Sequence, residues 1–531
     1  MYPDAIPRLP ARRVRVKARK ETIYPMKLKR FLSSVLALVL IVSLPVSALA
    51  ADWYLEDGDI TVSADSSGQT VSQGSTSVAD DAPVIRQRDS SAATDSTITI
   101  STSDDATANV TIEDVNISSS GDSIDVGSSS ANITLNGDNK LSSESGSGMH
   151  VSDGDVTITG SGSLKAESKG DNNNNAAIGS HENEDMSGDI TIGGDAQVTA
   201  ESGRNGAGIG SGDDGEMTGD ITIGGSAKVS AKSGNDGAGI GSGDDGEMTG
   251  SITVSGSSQV TAISGNDGAG IGSGEESNMS GNITIGDNAR VTAWSEDRGA
   301  GIGSGREGKV SGSITIGDNA QVSAGSDRDG AGIGGGKKGS ITSTGRIIIR
   351  GNAKVTAVGE DEGTGIGPGE DKKMKGLIII QDNAQVTAIA GDCAAAIGSD
   401  DGYEMTGTII IIGNARVTTG VLDDDDVYFD YKTKEIKYTL DEGYIGYIGD
   451  SQNSNHESGN GHYIIGPDVT INGLSGSDIE ALKDYINMRL SGENNDGEPE
   501  NLTKLDISSE NGEFTVTAEG EGTVEKILYG G

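Results

Sequence analysis

Short apolar segments alternate with polar loops along most of the chain, and they return at a nearly constant step. One isoleucine column marks this step. Its members are Ile178, Ile209, Ile240, Ile271, Ile302, Ile333, Ile366 and Ile397. The intervals are identical except for the one between Ile333 and Ile366, which is slightly longer. A constant period of about 31 residues is typical of a solenoid, in which each repeat forms one coil.

Each repeat carries two more apolar segments after that isoleucine. One has the form Ile-Thr-Ile, as in residues 190–192, and the other has the form Val-Thr-Ala, as in residues 198–200. Both alternate with the period of two that half-buried strands show, and neither has helical spacing. Three short strands per repeat, separated by Gly- and Asp-rich corners, predict an all-β parallel β-helix with inward ladders of Ile, Val and Ala.

A further apolar column lies inside the acidic loop that follows each isoleucine. It consists of Met186, Met217, Met248, Met279, Val310, Ile341, Met374 and Met405. Methionine suits an irregular gap. We therefore expect these side chains to hold the loop against the coil.

The organisation of the chain follows from where this pattern begins and ends. We predict a cap at residues 51–94, β-helix repeats at 95–420, and a C-terminal cap or small α+β domain at 421–531. Ser477 opens a capping box followed by apolar residues at helical spacing, which predicts a helix. That helix either caps the open end of the solenoid or belongs to the small domain.

Residues 1–50 have the pattern of an N-terminal export segment. Basic residues after Met26 precede an apolar run at residues 31–44 and an Ala-Leu-Ala site at 48–50, the pattern of a secretory signal peptide. Residues 1–25 are then an upstream extension, or else the basic region is unusually long. We expect cleavage after Ala50 and an extracellular protein, and the lone Cys393 excludes an intrachain disulfide.

Charge limits the partners. The chain carries −42, and the first fifty residues hold 10 Lys or Arg and 2 Asp or Glu, so the remainder carries −42 − 8 = −50. Such a surface repels nucleic acid and anionic membranes, and it attracts metal cations and basic partners.

A Gly-x-Gly-x-x-Gly motif occurs at Gly210, Gly241, Gly303 and Gly334. A dinucleotide-binding fold needs one copy between a strand and a helix. Here the motif recurs at the same point of the repeat, no helical pattern follows, and Asp213 would repel a pyrophosphate. We therefore interpret it as repeat geometry.

The order GAGIGSG, then DITIGG, then AxVTA resembles the Gly-rich repeats of secreted and surface proteins of Gram-positive bacteria. The similarity runs from about Ala108 to Thr419. That resemblance implies a pectate-lyase-like, right-handed parallel β-helix with a carbohydrate-binding or adhesin-like role. It supplies no catalytic motif.

Two function classes remain open at this point. We expect a non-catalytic surface or matrix protein that binds glycans or cells, with Trp294 as a residue that stacks on a sugar. The alternative is a polysaccharide lyase or glycoside hydrolase, whose site would break the repeat once. We assign no catalytic residues, and a role for the neighbouring His456 and His462 is disfavoured. Ice binding is also disfavoured, because the outward Thr column is one residue wide.

Calcium is the expected cofactor, and the acidic loops of two neighbouring coils are its candidate ligands. They are Asp213, Asp214, Glu216, Asp244, Asp245 and Glu247. Loops one coil apart are separated by about 5 Å, so their carboxylates repel one another unless a cation lies between them. The alternative is that these carboxylates are simply solvated.

Overall fold

The fold is the predicted one, a right-handed parallel β-solenoid of about 12 turns. The computed structural model describes residues 52–103, 105–170, 172–391, 394–400, 405–440, 446–449, 462–465, 468–475, 486–487, 502–510 and 513–520. The predicted signal peptide, Cys393 and His456 lie outside these ranges. The described residues contain no helix long and apolar enough to cross a membrane.

The Ile-Thr-Ile segments form the first sheet, which has 14 parallel strands. In chain order they are Asp52–Tyr54, Val84–Arg86, Thr107–Glu113, Ser130–Asn136, Val156–Gly160, Ile190–Ile192, Ile221–Ile223, Ile252–Val254, Ile283–Ile285, Ser313–Ile316, Arg346–Ile349, Leu377–Ile380, Thr408–Ile411 and His462–Ile465. Residues of the same type pair between neighbouring coils: Thr191 lies opposite Thr222, and Ile192 lies opposite Ile223. The period of the sequence is therefore the register of the sheet.

The Val-Thr-Ala segments form the second sheet. Its strands are Asn116–Ser119, Asp138–Ser143, Ser163–Ser168, Gln197–Ser202, Lys228–Lys232, Gln259–Ser264, Arg290–Ser295, Gln321–Ser326, Lys354–Val358, Gln385–Ala390, Arg416–Asp430, Glu435–Leu440, Thr470–Ile471 and Leu474–Ser475. The long strand Arg416–Asp430 leaves the solenoid and turns back as an antiparallel hairpin with Glu435–Leu440. We call residues 416–440 the hairpin.

The Ile-Gly pairs form the third sheet, which begins with an antiparallel meander. Its strands are Ile60–Asp65, Gly68–Gln73, Thr76–Ala79, Ile98–Thr102, Ile124–Gly127, Met149–Val151, Ile178–Gly179, Ile209–Gly210, Ile240–Gly241, Ile271–Gly272, Ile302–Gly303, Ile333–Gly334, Ile366–Gly367, Ile397–Gly398, Ile448–Gly449 and Ile486–Asn487. The glycine of each repeated pair is required. Gly210 has φ +142°, and a Cβ there would lie 1.7 Å from the carbonyl oxygen of Gly241.

One hydrophobic core runs through the coils. Ile209, Ile221, Ile223 and Ala200 have no exposed surface, whereas Thr222 is half-buried, as the alternation predicts. All eight members of the methionine column are fully buried, and Met217 bridges Met186 and Met248 in the adjacent coils. The prediction that this column holds the loop against the coil is confirmed.

The two ends of the solenoid differ from the sequence-based picture. Residues 52–54 and 84–86, within the predicted cap, already pair in the first sheet. Of the segment predicted as a helix, the structure describes Ile486–Asn487, and these form a strand paired with Ile448–Gly449. The helix prediction is wrong for these two residues, because the repeat's Ile column continues to Ile486. The strands Leu502–Glu510 and Glu513–Gly520 pair with each other.

Candidate functional site

Two loops of the repeat meet along one edge of the solenoid. One follows the second-sheet strand, and the other follows the Ile-Gly pair. The backbone N–H of Asp244 donates to the carbonyl of Asn205 at 3.1 Å, and the N–H of Glu275 donates to the carbonyl of Asp236 at 2.9 Å. We call this edge the corner. Coil after coil, it brings together loops that are well separated in sequence.

Three carboxylates form the acidic part of the corner: Asp213, Asp236 and Asp244. Among the described residues, no Lys or Arg pairs with any of them. Amides hold them instead, since Asn205 Nδ2 donates to Asp244 Oδ2 at 3.0 Å and Asn266 Nδ2 donates to Asp236 Oδ1 at 2.6 Å. Amide donors orient these oxygens without cancelling their charge.

The electrostatic consequence is large. Burial, together with repulsion from Asp236, Asp213 and Asp245, raises the pKa of Asp244 to about 8. Burial and the neighbouring carboxylates Asp214 and Glu182 raise the pKa of Asp213 to about 6. The folded chain therefore disfavours the ionised forms of both groups, and a cation would relieve that cost.

Further along, the same edge is ion-paired. Arg306 Nε lies 2.8 Å from Asp267 Oδ2, and Arg306 also contacts Glu275. Arg298 Nε lies 3.5 Å from Asp267 Oδ1, and Lys337 Nζ lies 2.7 Å from Asp329. We call Asp267, Glu275, Arg298, Arg306 and Lys337 the ion-paired part of the corner.

Carboxylate oxygens at the junction of the two parts are spaced as metal ligands are. Oxygens of Asp236, Asp267 and Glu275 all lie within 4.8 Å of one another. Asp267 is 3% exposed, and its Oδ1 has no hydrogen-bond partner among the described residues. Oxygen-only ligands in a loose arrangement suit a hard cation such as Ca²⁺.

The structure rearranges the predicted calcium set. Asp213 and Asp244 lie in the corner, and Asp245 is close enough to act on the pKa of both. Asp214 and Asp245 are in the left-handed backbone region, at φ +58° and +54°. Glu216 and Glu247 are exposed further round the turn. The predicted set omitted Asp236, Asp267 and Glu275.

Trp294 does not offer its ring to a ligand, contrary to the sequence-based expectation. It is 2% exposed and lies under the hairpin, with ring centroids 6.4 Å from Phe429. Ile263, Val358 and Ile389 extend the same apolar cluster, and Ile436 closes it from the hairpin. Gly325 makes room, since a Cβ there would lie 2.7 Å from the Trp294 ring.

The sequence contained a signal for both features that the sequence analysis missed, the second loop of the corner and the hairpin that covers Trp294. One column recurs at the period of the repeat opposite the loops of the predicted calcium set, and it consists of Asn205, Asp236, Asp267 and Arg298. In the second sheet, the outward column is charged at Glu201 and Lys232 and becomes apolar from Ile263 onward. This change marks the coil at which the hairpin begins to cover the sheet. These columns show which residues stack, but not which loop or hairpin lies against them.

Comparison with known proteins supports the fold. A family model described as a beta helix repeat matches residues 190–213 and 252–275. No curated protein and no solved structure matches the chain.

Proposed function

We propose that the chain is an exported, non-catalytic surface or matrix protein that binds glycans or cells. The β-helix repeat and the solenoid are consistent with adhesin-like and with pectate-lyase-like proteins. The observation that favours binding is the hairpin, because it presents aromatic rings to solvent from a base packed on the solenoid.

The hairpin turns some aromatic rings inward and others outward. Phe429 packs on Trp294, whereas Tyr428 is 58% exposed and Tyr431 is 51% exposed. Lys232 fixes Tyr431, since its Nζ donates to the hydroxyl at 3.1 Å. Exposed aromatic rings suit stacking on a sugar ring, and the contact that holds Tyr431 lowers the ordering cost of binding there.

A glycan array probed with the purified protein tests this role. We expect binding to a defined set of glycans, and we expect Tyr428→Ala with Tyr431→Ala to abolish it. Val78→Ala removes an exposed apolar side chain from the N-terminal meander and serves as the control. Binding that survives the double substitution would remove the hairpin from the interface.

Calcium is the second element of the proposal. An ion held by Asp236 and Asp244, which act on each other's charge, would lower the repulsion in the corner, and it would give an acidic chain a means of attracting uronate sugars. Sites of this kind in extracellular modules have dissociation constants on the order of 10⁻⁴–10⁻³ M.

Calorimetry with Ca²⁺ tests the corner. We expect heat that is lost when Asp236 and Asp244 are both changed to Asn, and retained when the exposed Glu216 and Glu247 are changed to Gln. No heat, or heat unaffected by the Asn substitutions, would remove calcium from the corner. Turnover of pectin or related polysaccharides would instead support the lyase or hydrolase alternative.

A further inference from the structure

Two histidines of the early coils stack face to face near the ends of neighbouring strands of the third sheet. His150 lies in the strand Met149–Val151, and His181 follows the strand Ile178–Gly179 of the next coil. Their ring centroids are 3.8 Å apart and their planes differ by 5°. The His150 residue is 8% exposed, so this pair is built into the fold.

Carboxylates line both edges of the stacked rings. On one edge, Asp122 Oδ1 lies 2.8 Å from His181 Nε2 and Asp122 Oδ2 lies 3.9 Å from His150 Nδ1. Asp125 Oδ1 lies 2.9 Å from the same His150 nitrogen. On the opposite edge, Glu184 Oε2 lies 2.8 Å from His150 Nε2.

The repeat itself does not require this cluster. His181 occupies a position that is glycine in the next six coils. These residues are Gly212, Gly243, Gly274, Gly305, Gly336 and Gly369. A Cβ at Gly212 would lie 2.3 Å from the carbonyl carbon of His181, so stacking of the coils favours glycine there. Glu184 likewise occupies a repeat position that is glycine in the next two coils, at Gly215 and Gly246. The cluster therefore interrupts the repeat at one place, which is the pattern expected of a binding site.

We propose that Asp122, His150 and His181 bind one divalent transition-metal ion of the zinc class. One ligand atom from each lies within 4.8 Å of the other two. Zinc bonds of about 2.0–2.2 Å place tetrahedral ligand atoms roughly 3.3 Å apart. Asp122 Oδ1 lies 2.8 Å from His181 Nε2, and the second oxygen of the same carboxylate lies 3.9 Å from His150 Nδ1, so small side-chain shifts bring the ligand atoms to that spacing.

The surrounding groups select this type of ion. Imidazole with carboxylate suits zinc, whereas calcium prefers oxygen ligands alone. When Glu184 accepts the Nε2–H of His150, the Nδ1 of that ring is left as the metal ligand, which is the usual supporting arrangement for a ligating histidine. The metal replaces two protons, the one that His181 Nε2 shares with Asp122 and the one that His150 Nδ1 shares with Asp125, and both are released to solvent. This site is separate from the calcium corner.

Zinc titration of the purified full chain by calorimetry tests the site. We expect one Zn²⁺ per chain, with a dissociation constant of about 1 µM or tighter. His181→Ala and Asp122→Asn should each weaken binding by about 100-fold or more, since losing even a supporting partner costs about 10- to 100-fold. Electron paramagnetic resonance of the Cu²⁺-loaded protein should show coupling to two imidazole nitrogens.

Three controls distinguish zinc binding at this site from binding elsewhere in the chain and from unfolding of the variant. His456→Ala with His462→Ala should leave zinc binding unchanged, and so should Asp244→Asn in the corner. Thermal melts without metal should show that His181→Ala is folded, as expected for a side chain that is 33% exposed. Absence of zinc binding in the wild type, or equal binding in folded His181→Ala, would overturn the proposal.

Discussion

The acidic and the ion-paired parts of the corner occupy the same place in successive coils, yet the carboxylates are uncompensated in the first and paired with cations in the second. Asp244 and Arg306 lie at equivalent positions two repeats apart, and each donates its backbone N–H to the loop opposite, at 3.1 and 2.8 Å. The backbone path is therefore independent of the side-chain charge. Since the fold accepts a cation at this position, folding does not require the uncompensated carboxylates of the acidic part.

The largest expected effect is a loss of stability that should be the same in the acidic and the ion-paired parts of the corner. Ile240 and Ile302 belong to the coils of Asp244 and Arg306, and both are fully buried. Changing either residue to Asp should cost several kcal/mol, because each buries an unpaired carboxylate in the same core. Thermal melts should show equal losses.

The matched control is Thr222→Asp, which places the same charge at a half-buried outward position. It should cost far less. A much smaller loss for Ile302→Asp than for Ile240→Asp would mean that the two parts differ in their packing, and the comparison of charge alone would fail.

Removing one cation should weaken the charge compensation of the ion-paired part. Arg306→Gln leaves Asp267, which is 3% exposed, without its 2.8 Å partner. We expect a loss of about 2 kcal/mol at pH 8, since breaking a buried pair strands a charge. Arg290→Gln removes an exposed arginine and should have little effect. Equal melting temperatures for the two variants would show that the pairing does not stabilise the corner.

The smallest effect depends on pH. The pKa of Asp244 is raised by burial and by Asp236 to about 8, above its ordinary value of 3.8. The folded state therefore holds this proton more tightly than the unfolded chain. The resulting penalty is absent below pH 3.8, grows as the pH rises, and is complete above about pH 8.

Asp244→Asn should therefore stabilise the protein at pH 9 and have no effect near pH 3.5. We expect a gain of about 1–2 kcal/mol, well below the full value of the shift, because solvent screens a half-buried group. Melts across this pH range check it, with the exposed Asp195→Asn as control. A gain that is the same at both pH values would contradict the assigned cause.

The repeat made most of the fold predictable, because in a solenoid the sequence period is also the register. Ile221 and Ile223 are buried and Thr222 is half-buried, as their alternation predicts. Long-range contacts were not predictable in this way. Trp294 lies under Phe429, which comes several coils later in the chain, and only the course of the hairpin places them together. The corner likewise depends on two loops folding toward each other.

The hairpin also has a mechanical consequence. It contacts an apolar column that runs from Ile263 to Ile389, which spans four repeat steps. A pull along the solenoid axis would have to detach this apolar cover before those coils could separate, whereas the hairpin meets the preceding coil through the polar contact of Lys232 with Tyr431. The chain should therefore lengthen under load from its N-terminal coils first, and the stretch beneath the tyrosine-bearing hairpin should keep its shape the longest.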